Sequence, residues 1–267
     1  MVILLGCTVI MPFQAQAVID LIPVSLNHSV KDVDVGLGFS LTATVPSGGG
    51  GTLEWSSSNT YVATVSSSGH VTGHHAGTAV ITATYTRVDG ATGFASCTVY
   101  VTVADGLYYL KNASSDLCFY TGGSAVSLQA QQTNVSSRTG QLWKIRYVAG
   151  GKYEICPIRD TSVALTADSG NYVTVGEAEN TASWGIVQNS FGYSIQYLGS
   201  SDEVAKPVVA DMPGTQIYLG DWQAGLTCHW ELEAACGFFL RDLTTRECFV
   251  ILLWFLKDQV PGLNFRI

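Results

Sequence analysis

Residues 53–85 read LEWSSSNTYVATVSSSGHVTGHHAGTAVITATY, and this stretch decides the fold class. Near its end, Ala79, Ile81 and Ala83 fall on one face of an extended chain while Thr82 and Thr84 fall on the other. Successive side chains of a strand point to opposite sides. A period of two therefore predicts sheets with one buried and one wet face, as in an antiparallel sandwich. Cys97-Thr98-Val99-Tyr100-Val101-Thr102-Val103 repeats the pattern, with apolar residues at the odd positions. Turn clusters punctuate the strands: Ser47-Gly48-Gly49-Gly50-Gly51, Ser66-Ser67-Ser68-Gly69 and Asp89-Gly90.

Composition extends this reading to the whole chain. Its 267 residues leave room for about two domains at ~100–200 residues each. With 13% charged and 47% apolar residues the chain can fill a core and is not disordered by composition. Gly, Ser, Thr and Val dominate, which favours many short strands joined by turns. The formal net charge is −8 and the 13 Lys and Arg form no basic run, which argues against nucleic acid as a partner.

Trp55-Ser56-Ser57-Ser58-Asn59, Val62-Ala63-Thr64-Val65, Gly69, Val71-Thr72-Gly73 and Gly77-Thr78-Ala79 together resemble the group 2 bacterial Ig-like domain, which is assigned to residues 18–104. The resemblance implies a β-sandwich with Trp55 anchored between the sheets and Gly69, Gly73 and Gly77 at tight turns that call for positive φ. It implies a rigid extracellular spacer or adhesion module and carries no shared catalytic residues. His70, His74 and His75 lie close together but occupy variable turn positions of that pattern, with no carboxylate or cysteine of ligand spacing, so no metal is expected there. Asp32 and Asp34 are two apart and are expected on the solvated side of an edge strand.

The second half repeats itself. Tyr108-Tyr109-Leu110, Tyr153-Glu154-Ile155 and Tyr193-Ser194-Ile195 begin alike, and each is followed by a tryptophan: Trp143, Trp184 and Trp230. A strand-rich unit of roughly 40 residues occurring three times argues for threefold pseudosymmetry, and three units are too few to close a propeller. The segment GLYYLKNASSDLCFYTGG, the Gln141-Leu142-Trp143 triplet, and the later GKYEICPI and CHWELE resemble the ricin B-type lectin β-trefoil over residues 105–234. The Gln-x-Trp signature becomes Ala182-Ser183-Trp184 and then Cys228-His229-Trp230. The resemblance implies tryptophans packed in the trefoil core. Keeping Trp while losing Gln fits a packing role that outlasted a polar one. The expected fold class is thus all-β, an Ig-like sandwich followed by a β-trefoil.

A pyranose offers hydroxyls in fixed directions and one apolar C–H face, so its site favours a carboxylate or amide for the hydroxyls and an aromatic ring for stacking. In trefoil lectins the aspartate falls two residues after a Cys-like strand position. Tyr120 and Thr166 stand there in the first two repeats, so galactoside binding of the family type is not expected at them. The third repeat is richer, with Asp202, Glu203, Asp211, Tyr218, Asp221 and Trp222. Asp211, Tyr218, Asp221 and Trp222 form the candidate ligand-binding set. The competing reading packs Tyr218 inside and uses Asp221 to cap a turn.

Both ends differ from the modules. MVILLGCTVIMPFQAQA has an apolar run, Val2 to Phe13, ahead of Ala15-Gln16-Ala17, the pattern of a signal peptide cut after Ala17 (residues 1–17), although no Lys or Arg precedes the run. A short buried strand is the alternative. At the other end, 235–267 is a tail of uncertain origin. Its run FVILLWFL, Phe249 to Leu256, is too short for a bilayer span of ~20 residues, and no transmembrane segment is expected. It reads as a membrane-associating segment, the start of a further domain, or a gene-end artefact. The seven cysteines, Cys7, Cys97, Cys118, Cys156, Cys228, Cys236 and Cys248, follow no framework spacing and read as small buried hydrophobes.

No Gly-x-Ser-x-Gly, His-Glu-x-x-His or phosphate loop appears. Cys228 and His229 are neighbours, and strand neighbours face opposite ways, so they are not expected to form a nucleophile and base. Glu177 and Glu179 share a face only as a solvated pair. The chain is therefore expected to be non-catalytic, with no cofactor and no metal: a secreted or cell-surface binding or adhesion protein that contacts glycans or cell-surface polysaccharide through the trefoil. The alternatives are a protein-contact module without glycan affinity and the targeting portion of a longer secreted hydrolase. Replacing Trp143 by Ala should destabilise the trefoil by ~3–5 kcal/mol, the scale of a large aromatic core deletion, as measured by urea unfolding.

Overall fold

The computed structural model describes residues 22–47, 50–132, 138–177, 184–198, 206–210, 214, 216–220 and 228–235. The expected signal peptide and residues 236–267 of the tail lie outside the described residues. Among the described residues all named elements are strands.

The first module is a sandwich. One sheet holds four strands in the order Val30–Asp34, Thr92–Thr102, Gly77–Arg87 and Gly51–Ser57, the first pair parallel and the others antiparallel. The facing sheet runs Gly38–Ser40, His70–Gly73, Ala63–Val65. Alternation sends Ala79, Ile81, Cys97, Val99 and Val101 inward against Leu41, Ala63 and Val71, and Trp55 packs half-buried against this cluster. Gly69 has φ +83°, and a Cβ there would run into the Leu41 carbonyl and meet the Trp55 ring at 2.9 Å. Gly73 departs from expectation: its φ is not positive. A Cβ would come 2.9 Å from Val101, so its constraint is room between the sheets.

Among its described residues the second module has twelve strands in three sets of four. The first and last strands of each set pair in a ring: Gly106–Asn112, Leu142–Ala149, Lys152–Pro157, Trp184–Asn189, Gly192–Tyr197, Trp230–Ala234, and back to Gly106–Asn112. This is a closed six-stranded barrel, which leaves no barrel edge unpaired. The middle strands pair as hairpins: Cys118–Thr121 with Val126–Gln129, Val163–Ala167 with Val173–Glu177, and Lys206–Val209 with Tyr218–Leu219. Bridges Ala125–Thr174, Ser127–Gln216 and Tyr172–Tyr218 tie the hairpins into one cap. Barrel and threefold cap together are a β-trefoil.

Trp143, Trp184 and Trp230 are fully buried in the core. Their indole N–H groups donate to the main-chain carbonyls of Phe119 (3.3 Å), Leu165 (2.8 Å) and Val208 (3.2 Å). Each acceptor sits in the second strand of its repeat, so one bond recurs three times and fastens each hairpin to the barrel. Gln141 adds a further tie in the first repeat. Its carbonyl accepts from Gln132 N–H (2.8 Å) and its amide donates to the Ala130 carbonyl (2.8 Å). At the corresponding third-repeat position stands Cys228, whose thiol is too short to hold two backbone groups in this way.

The two modules meet through named bonds. Val103 N–H donates to the Tyr153 hydroxyl (2.8 Å), Gln188 N–H to the Ala76 carbonyl (2.8 Å), and the Tyr147 hydroxyl to Asp32 Oδ1 (2.7 Å). Ala76 and Val103 pack into the trefoil core. The exposed carboxylates expected at Asp32 and Asp34 are present, and both are engaged. Asp32 holds the junction, and Asp34 accepts from Thr102 Oγ1 (2.6 Å). Burial, aided by Asp32, pushes the Tyr147 phenol up to about 12, and burial raises that of Tyr153 further, so both remain protonated at neutral pH. Tyr153→Phe strands the Val103 N–H and should lower stability by about 1–3 kcal/mol in urea unfolding of the full chain.

Candidate functional site

Of the four residues singled out in the third repeat, Tyr218 is described; Asp211, Asp221 and Trp222 lie outside the described residues, as do Asp202 and Glu203. Tyr218 is half-buried and paired with Val209, with its ring lying along Gly220. Across the cap it bridges to Tyr172 of the second repeat. Residues directly opposed in an antiparallel pair place their side chains on the same face. Tyr172 is 45% exposed, enough to leave much of its ring open to a ligand. Its N–H, like that of Gly170, donates to Asp168 Oδ1 (2.9 Å each), which holds an exposed carboxylate beside the tyrosine. Sequence reasoning missed Tyr172 and Asp168. The signal was the turn Asp168-Ser169-Gly170-Asn171-Tyr172, which delivers an aromatic ring to the start of a strand, with Asn171 at φ +64°.

The three indole bonds align the repeats and locate in each the position where the ricin B-type resemblance would place an aspartate. Phe119, Leu165 and Val208 correspond, so the next residues, Tyr120, Thr166 and Val209, correspond too. None is a carboxylate. Tyr120 packs between Gly122 and Gly140, where an added Cβ would come 2.8 Å from its hydroxyl and 2.6 Å from its ring, and Val209 is buried.

A cleft of about 340 Å³ opens where the first two repeats meet. The turn at 122–124 forms one wall, the segment from Pro157 to Val163 the other, and Val175 contributes to the lining. Two bonds from Ser162, one from its hydroxyl (2.6 Å) and one from its N–H (3.0 Å), fix Asp160 Oδ1 and hold this carboxyl below its ordinary range. Arg159 Nε donates to Thr139 Oγ1 (2.8 Å). The Val175 N–H donates to the Ser124 carbonyl (2.8 Å), bonding the second-repeat hairpin to the first-repeat turn.

The histidines of the first module take separate partners. His70 Nδ1 meets Ser40 Oγ (3.3 Å) and His74 Nε2 meets Thr64 Oγ1 (2.7 Å). His75 Nδ1 donates to the Tyr61 carbonyl (2.7 Å) and its ring stacks on Tyr61 at 3.8 Å. Among the described residues no group of three or more His, Cys, Asp or Glu is placed to hold a metal. Glu177 is exposed at a strand end, and Glu179 lies outside the described residues.

One expectation is overturned. Cys228 and His229 do meet, Sγ to Nδ1 at 3.6 Å, because they precede the strand Trp230–Ala234 and strand alternation does not govern them. Asn189 Nδ2 donates to His229 Nε2 (2.9 Å), completing a Cys–His–Asn row. Cys228 is fully buried, so no substrate carbonyl reaches its sulfur. Cys97, Cys118 and Cys156 are buried as well, and burial pushes the thiols of Cys118 and Cys156 up to about 12 and about 11.

Fold and sites define an all-β protein of two modules, an Ig-like sandwich and a β-trefoil. Residues 22–95 match the family model of the bacterial Ig-like domain (group 2). The ricin B-type resemblance of the second module has no family match of its own, and the trefoil rests on its strand pairing. No curated protein matches the chain. Similar solved structures include a GlcNAcα1-4Gal-releasing endo-β-galactosidase from Clostridium perfringens (14% identity, 58% of this chain and 36% of that one, TM-score 0.42). They also include the designed threefold-symmetric protein ThreeFoil (17%, 48% and 99%, 0.39). An exo-β-1,3-galactanase from Clostridium thermocellum is a third (13%, 65% and 45%, 0.41). The chain thus spans about a third of the endo-β-galactosidase and less than half of the galactanase. If Cys228 is as inert as its burial requires, iodoacetamide at about pH 8, near the free thiol pKa, should leave Cys97, Cys118, Cys156 and Cys228 unmodified until the chain is denatured, as read by peptide mass spectrometry. Rapid native labelling of Cys228 alone would mark it as a reachable nucleophile.

Proposed function

We propose that the chain is a secreted or cell-surface, non-catalytic binding protein whose trefoil contacts carbohydrate and whose Ig-like module sets its reach. The observation that carries this reading is the surface of Tyr172, Tyr218 and Asp168 on the cap. It combines aromatic rings for the C–H face of a sugar with a carboxylate for paired hydroxyls. Asp211, Asp221 and Trp222 of the third repeat belong to the same proposal. Export is supported by the apolar run before Ala15-Gln16-Ala17. No helix among the described residues is long and apolar enough to cross a membrane. The spacer role is supported by the bonded junction at Ala76, Val103 and Asp32.

A shallow site of this kind binds weakly, since a millimolar Kd corresponds to only about −4 kcal/mol, so retention on a surface needs several contacts or clustered copies. A second reading, a protein-contact module without glycan affinity, is favoured by Tyr120, Thr166 and Val209 at the family's aspartate positions. A glycan array probed with the full chain separates the two. Binding is expected, and Tyr172→Ala and Trp222→Ala should each reduce it roughly tenfold with the far-ultraviolet spectrum unchanged. A blank array at high protein density would sink the carbohydrate reading and leave the protein-contact one.

A further inference from the structure

The geometry points to a second carbohydrate contact, made of different residues: the cleft between the first two repeats takes one neutral hexopyranose ring. Its C–H face lies on Pro157, Val163 and Val175, and adjacent hydroxyls bond to Asp160 and Arg159. This inference rests on the carbohydrate reading above and adds a place and a ligand class to it.

Four observations carry it. At about 340 Å³ the cleft lies at the small end of ligand sites, which run ~300–1,000 Å³, so it suits a single ring better than an extended chain. Its walls are joined before any ligand arrives. The Val175 bond to Ser124 crosses between repeats, and the two Ser162 bonds fix the Asp160 carboxylate, so little ordering remains for binding to oppose. The polar groups are of the right kinds. A carboxylate has about four acceptor directions, and Oδ1 alone takes the Ser162 bonds, which leaves Oδ2 to accept from hydroxyls. The Arg159 guanidinium, steadied through Nε by Thr139, supplies donors to a hydroxyl oxygen beside it. The lining also has an apolar side in Pro157, Val163 and Val175, which matches the C–H face of a pyranose.

Charge selects among sugars. An acidic sugar would bring its carboxylate up to Asp160, on a chain whose formal net charge is −8. Among the described lining residues Arg159 is the one cation, and its Nε is engaged by Thr139. A neutral hexose avoids this repulsion and uses the carboxylate as an acceptor. Its binding should then be nearly independent of salt, because no net charge is neutralised.

Gly123 offers a clean way to block the cleft. Its φ is ordinary and a Cβ there would meet nothing within 4 Å, so a bulky residue enters the rim without straining the backbone. The test uses the full chain, an array of immobilised neutral and uronic-acid oligosaccharides, and parallel runs at physiological and at about 0.5 M salt. Asp160→Ala and Gly123→Phe should each lower binding to neutral hexose glycans roughly tenfold through lost avidity, with unchanged Tm and little effect of salt. Wild-type binding that survives either variant within about twofold overturns the cleft site and leaves the carbohydrate function standing on the cap. Binding confined to uronic-acid glycans and weakened by salt overturns the neutral ligand class. No binding by the wild type overturns this inference together with the carbohydrate reading.

Discussion

A buried indole is a large apolar group with one polar atom that must find an acceptor. The second module meets that requirement three times in the same way. Trp143, Trp184 and Trp230 fill the barrel, and each N–H goes to a carbonyl in the second strand of its own repeat. Because the acceptors are main-chain atoms, side chains along the hairpins are free to change while the bond stays. The Phe119 ring adds edge-on contacts to Trp143 and Trp230, at 6.0 and 4.5 Å between centroids, so the first and third repeats are also joined through aromatic packing. Barrel closure, hairpin placement and the pseudo-threefold axis all follow from these contacts.

The same constraint explains how the surface could diverge. With the core satisfied by backbone acceptors, the next residue on each hairpin carries no structural duty common to the repeats. Tyr120 packs between glycines, Thr166 is half-buried, and Val209 is buried. Exposed carboxylates appear elsewhere on the cap. Asp168 is held in a turn by two N–H groups, and Asp160 is held beside a cleft by Ser162. In both cases local hydrogen bonds within a few residues orient the carboxylate, which asks nothing of the barrel.

Much of the fold was legible because it depends on periodicity. The alternation in Ala79–Thr84 and Cys97–Val103 states which face is buried, and the spacing of the tryptophans states the number of repeats. The sites were less legible because they depend on who stands opposite whom. Tyr172 acquires a partner in Tyr218 through a single bridge between repeats, a pairing with no trace in local sequence. Cys228 and His229 broke the strand-neighbour rule because they lie just outside a strand, a boundary that periodicity does not mark. Gly73 shows the same limit from another side. A glycine dictated by the approach of Val101 from a distant strand looks, in sequence, like one dictated by its own φ.

Asp32 links the two modules and changes what the first one is for. A free spacer needs only a soluble surface, yet here a strand of the sandwich accepts a phenol from the barrel, and Ala76 and Val103 contribute to the trefoil core. Tyr147, which donates to Asp32, and Tyr153, which accepts from Val103, also pack edge to face at 5.4 Å, so the two phenols position each other. Burial keeps both protonated well beyond neutral pH, so the Tyr147 hydroxyl retains the proton it donates to Asp32. Under the proposed carbohydrate role, a contact on the trefoil would be presented in a fixed direction relative to the Ig-like module. For sites that are individually weak, orientation of this kind decides whether two contacts on one trefoil reach the same surface together.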